Sequence, residues 1–164
     1  MSASEQVAGA SGTILPAPAG VLLADGSPAF GAYAGNVEAV DWSGLNAALR
    51  RTGLWRRFHH KRWQYVGIAG ADCFIGLAIV DAGWAASAFA YVFDRTQRRV
   101  LLEFSAMGVP GVSVKVNDKA GDGAFAQFKG PAGDISLIRQ RGSSVYVLKL
   151  QTRSGLNIDA TLDA

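Results

Sequence analysis

Asp81 and Asp94 each end a run of alternating apolar and aromatic residues and stand just ahead of turn-forming residues. A carboxyl there, beside Trp84 or Tyr91 at the mouth of a β structure, would be desolvated. Desolvation favours its neutral, proton-donating form, which could protonate an apolar substrate. Hydration, cyclisation or isomerisation would use such an acid. Asp81 is the stronger catalytic candidate because Gly83 and Trp84 follow it directly. A plainer reading competes, since an aspartate opening a turn bonds its own backbone, and turn chemistry alone explains both positions. Lys61, Arg62, Trp63 and Tyr65 alternate at the start of a strand. Arg62 can pair with Asp81 or Asp94, and Trp63 can lie against a guanidinium. Lys61, Arg62 and Asp94 therefore read as an anion site or as a structural ion pair closing one end of the fold.

The remaining reactive residues exclude more than they offer. His59 and His60 are adjacent and read as a solvated loop, and with Cys73 as the one cysteine no zinc-ligand spacing exists. No metal and no cofactor are predicted. The chain has no Gly-x-Ser-x-Gly elbow, no phosphate-cradling Gly-x-x-x-x-Gly-Lys and no dinucleotide fingerprint. Gly121-Asp122-Gly123 lacks calcium-loop spacing. Cys73 opens an apolar strand and reads as an inert core thiol. A lone cysteine forms no internal disulfide, which points to a reducing, cytoplasmic setting.

These residues must be held by a modest framework. The chain has 164 residues, 49% apolar and 18% charged, which suits one globular domain and excludes disorder. No apolar run reaches a membrane-spanning length, so no membrane span is predicted. The net charge of +3 is local. Arg50, Arg51, Arg56, Arg57, Lys61 and Arg62 stand together without an acid, and the other ten basic and thirteen acidic residues leave the rest at −3. The stretch is a footprint for an anion, nucleic acid or acidic lipid, or else a solvated face. No ribonucleoprotein motif or helix-turn-helix accompanies it, so no nucleic-acid partner is predicted.

Residues 1–12 read as a frayed tail and 13–62 as an irregular arm rich in turn dipeptides. Within the arm one short helix is predicted over 41–52, capped by Asp41 or Ser43, with Leu45, Ala48 and Leu49 on one face and Gly53 as its exit. From Trp63 the period changes to two. Nine short candidate strands follow in a β domain over 63–164. Short loops force antiparallel neighbours, and a long meander must close or be covered. The prediction is an all-β, up-and-down barrel of the lipocalin kind, with a twisted sandwich as runner-up. Ala86, Ala88 and Ala90 alternate with Ser87, Phe89, Tyr91 and Phe93. Small inward residues would leave room for a ligand, or they would pack tightly in a core.

The block Lys61-Arg62-Trp63-Gln64-Tyr65, the turn Asp81-Ala82-Gly83-Trp84 and the aromatic strand ending in Asp94 together carry a resemblance. They resemble an uncharacterised, mainly bacterial family, domain of unknown function 2804, and the proline-bearing arm and Trp42-Ser43 fit it too. The resemblance implies a calycin-like architecture, distantly similar to carotenoid hydratase-like and lipocalin-like proteins, and carries no activity with it. Its members are longer, so the chain reads as the N-terminal part of the pattern or a shortened homologue. As half of a double barrel it would form a homodimer or leave an unpaired edge.

Three functions are expected on these grounds. The first is a binding module for a small apolar or amphipathic molecule, held by Trp63, Tyr65, Trp84, Ala88, Ala90 and Tyr91. The second is a hydratase, cyclase or isomerase with Asp81 as acid. The third is a half-domain docking an acidic partner through Arg50–Arg62.

Overall fold

The computed structural model of the protein describes residues 14–163; the predicted tail over 1–12 lies outside them. The arm opens with a parallel pair of two-residue strands, β1 (Leu15–Pro16) and β2 (Tyr33–Ala34). One helix follows, α1 (Gly53–His59).

The predicted helix over 41–52 is not formed. Its capping residues fold the chain into turns instead. Asp41 accepts the Ser43 N–H at 2.8 Å and the Ser43 hydroxyl at 2.9 Å, while Asn46 accepts the Leu49 N–H at 3.2 Å. Such short side-chain bonds compete with the helical ladder, and Gly44 lowers helix propensity further. Thr52 is the true cap, its hydroxyl accepting from Trp55 N–H at 3.3 Å. Arg50 and Arg51 therefore lie ahead of α1, whose body carries Arg56 and Arg57.

The nine candidate strands appear as two antiparallel meanders. Strands β3 (Arg62–Ala69), β4 (Cys73–Asp81), β5 (Ala86–Asp94) and β6 (Arg99–Gly108) pair in chain order. So do β7 (Val114–Val116), β8 (Phe125–Gly130), β9 (Gly133–Arg139), β10 (Val145–Thr152) and β11 (Asn157–Asp163). The described residues are therefore mostly β, in antiparallel sheets, as predicted, with one short helix among them.

The closed barrel is not formed. No ladder joins β6 to β7 or β3 to β11 among the described residues. The first break has a local cause. Val112 and Ser113 N–H groups both bond back to Val109 O, Pro110 has no N–H to give, and Gly111 sits at φ +75°. The strand is turned out of its sheet there and resumes as only three residues of β7.

The two sheets share one apolar core. Leu77 and Ile79 of β4, the β5 alanines, Phe104 of β6, Phe128 of β8, Ile135 of β9 and Leu148 of β10 meet in it. Ala86, Ala88 and Ala90 are 0%, 0% and 1% exposed. They fill this core against larger neighbours and leave no chamber. The aromatic alternates of β5 turn to the other face, where the Tyr91 ring lies so close over Gly76 that a side chain there would collide with it. No described helix is long and apolar enough to cross a membrane.

Candidate functional site

Strand register decides which carboxylate Arg62 meets. The β3–β4 ladder sets Arg62 opposite Asp81, and the Nη2–Oδ2 distance is 3.2 Å. Asp94 pairs in register with Cys73 at the far end of the same sheet. Thirteen positions along the hairpin from Asp81, it cannot serve Arg62, so the expected grouping of Lys61, Arg62 and Asp94 is not brought together. Asp94 accepts the N–H groups of Thr96 and Gln97 at 2.8 and 2.7 Å and holds the β5–β6 turn. Lys61 is exposed and enters no ion pair among the described residues.

Asp81 is engaged on both oxygens. Oδ2 meets Arg62, and Oδ1 accepts the Gly83 N–H at 3.0 Å. The side chain is 11% exposed, whereas that of Arg62 is 38% exposed, so solvent holds the pair to about 1 kcal/mol. Arg62 also lies 3.6 Å from Asp118 Oδ1, a buried oxygen with no hydrogen-bond partner of its own. Asp118 is pinned from the other side, its carbonyl accepting the Val40 N–H at 2.7 Å. One guanidinium thus ties the arm, the β4–β5 turn and the β7–β8 loop. Asp118 carries no local signal in the sequence and reaches the site only through the fold.

Gly83 explains the spacing of the turn. It sits at φ +83°, and a Cβ there would lie 2.8, 2.9 and 3.0 Å from the carbonyl oxygens of Arg57, Phe58 and His60. Asp81 shapes the turn, and Gly83 lets it approach the end of α1 backbone to backbone. The helix itself buries no residue. Trp55 and His59 stack at 4.2 Å and lean on a small apolar crevice of about 180 Å³ walled by Trp42, Leu45 and Leu49.

Where α1, the β4–β5 turn and the β6–β7 link meet, they enclose a cleft of about 650 Å³. Its lining brings the cations Arg56, Arg57 and Arg62 together with His60 and with apolar Leu54, Phe58, Trp84 and Val109. Asp81 is its one carboxylate. No carboxylate lies within 4 Å of Arg56 or Arg57 among the described residues. Asp41 feels Arg56 from farther off. Its carboxyl is held below the usual range first by the Ser43 N–H, then by the Ser43 hydroxyl, with the charges of Arg56 and His60 adding against desolvation.

Of the expected ligand-binding residues, only Trp84 lines this cleft. Tyr65 borders a second cavity of about 510 Å³ in the open seam between β3 and β10–β11, together with Val66, Ile68 and Tyr146. Trp63 is exposed, Tyr91 covers Gly76 on the outer sheet face, and Ala88 and Ala90 are in the core. Arg56 and Arg57 are legible in the sequence only as members of the basic stretch, and Phe58 and Val109 carry no signal there.

Neither a curated protein nor a solved structure matches the chain. The resemblance carried by the Lys-Arg-Trp block and the Asp81–Trp84 turn does extend along the chain: the family described as Domain of unknown function (DUF2804) matches residues 13–164, and the chain belongs to that family.

Proposed function

We propose that the chain is a binding module for a small amphipathic anion, seated in the cleft between α1, the β4–β5 turn and the β6–β7 link. The observation carrying this reading is the mixed lining of that cleft. Arg56 and Arg57, with no carboxylate within 4 Å among the described residues, line it together with Leu54, Phe58, Trp84 and Val109. Guanidinium groups suit carboxylate or phosphate because their forked N–H groups bond two oxygens at once. The aromatic and aliphatic side chains suit an alkyl or ring system, and about 650 Å³ lies within the range of small-molecule sites. Asp81 serves in this reading as the anchor of Arg62. Both of its oxygens already accept hydrogen bonds, so no acid-assisted reaction is assigned to it.

The test is calorimetric titration with decyl phosphate below its aggregation concentration, beside decanol and inorganic phosphate. The reading expects saturable binding of decyl phosphate alone, weakened roughly tenfold for each of Arg56→Gln and Arg57→Gln. Decanol binding as tightly, or no saturable binding of decyl phosphate, overturns it.

A further inference from the structure

We propose that the end of the molecule around this cleft docks on an anionic lipid surface. The inference does not require the cleft to hold a ligand. It rests on the outward face of three segments remote in sequence that the fold gathers at one end. Leu54 of α1 is 70% exposed, Trp84 of the β4–β5 turn 68%, and Val112 of the β6–β7 link 77%. Large apolar side chains on three neighbouring tips are costly to leave in water and suit the headgroup boundary, where tryptophan is favoured.

Charge says which surface. Six cations and no acid lie between Arg50 and Arg62, while the rest of the chain carries −3. Among the described residues Arg62 alone of the six is ion-paired, and Arg50 donates to the carbonyls of Ser43 and Leu45. Arg51, Arg57 and Lys61 are exposed. These three thus lie in or beside the segment that carries the exposed Leu54. An anionic bilayer attracts these cations within about one Debye length and receives the tips at the same time. A nucleic acid would meet the charge but give Leu54 and Val112 no apolar medium.

Flotation of the full chain with phosphatidylcholine vesicles, with and without phosphatidylserine, tests this. Binding is expected only with phosphatidylserine and should fall as salt rises. Arg51→Gln with Lys61→Gln, both outside the cleft lining, should weaken it about thirty-fold. Val112→Asp should weaken vesicle binding and leave the decyl phosphate titration unchanged. These exposed changes should not alter the urea midpoint, which confirms that each variant is folded. Equal binding to phosphatidylcholine alone, or indifference to Val112→Asp, overturns the proposal. So does binding to polyuridylate but not to vesicles. Vesicle binding without decyl phosphate binding refutes the cleft reading only, and the reverse refutes the docking reading only.

Discussion

Replacing Gly83 by alanine sets one methyl group against the backbone of α1, and the structure supplies its own controls. Gly83 has φ +83°, and its Cβ would stand 2.8–3.0 Å from three carbonyl oxygens. Gly142 and Gly155, at φ +71° and +90°, bracket that angle and have nothing within 4 Å. Alanine at either control meets only the left-handed backbone cost, about 1–2 kcal/mol. At Gly83 the collision with Arg57, Phe58 and His60 adds about 1–3 kcal/mol, as in an overpacked core, unless the helix end moves. Urea unfolding followed by circular dichroism reads the difference. With a slope near 2 kcal/mol/M, an extra 2 kcal/mol lowers the midpoint by about 1 M relative to Gly142→Ala and Gly155→Ala. A helix that swings aside would spare stability, so acrylamide quenching of Trp55 and Trp84 is measured alongside. Gly83→Ala matching both controls within about 0.5 kcal/mol, with quenching unchanged, would refute this close backbone approach.

Further outcomes follow from the same contacts. Asp81→Ala removes the acceptor for Gly83 N–H and the partner of Arg62 and should cost about 2 kcal/mol, whereas Asp81→Asn keeps the turn acceptor and should cost about 1 kcal/mol; equal urea midpoints for the two would contradict the division of labour between the oxygens. Ala88→Phe should lower stability by about 3 kcal/mol or prevent folding, because its site is fully buried; a stable, ligand-blocked variant would mean that the alanine face bounds a chamber after all. Tyr65 is held above the ordinary tyrosine value of 10.0, first by the neighbouring Tyr91 hydroxyl, then by desolvation and the Tyr91 charge. Its folded pKa exceeds its unfolded one, so the associated stability is present below the unfolded value and is lost as pH rises through the folded one. Absorbance at 295 nm should show a late ionisation that moves back in Tyr91→Phe, and an unmoved curve would count against the pairing.

The strands were legible in the sequence because a period of two is a local property of the chain. Asp81-x-Gly83 could likewise be read as a turn, since an aspartate and a glycine fix their own backbone. The family was legible too, because its Lys-Arg-Trp block and Asp-x-Gly turn are short and contiguous. The rest belonged to the tertiary structure. Alternation says that alanines and aromatics of β5 part company but not which side is inward, since either face could meet the second sheet. The competition between the Asp41 turn and the Thr52 cap moved the helix, and both signals look equally good in one dimension. Closure failed at Val109–Ser113, where a turn breaks the ladder. Register gave Arg62 to Asp81 rather than Asp94, and packing alone brought Asp118 to its other side. The cleft exists because α1, the β4–β5 turn and the β6–β7 link converge in space, and convergence of segments far apart along the chain leaves no mark in any one of them.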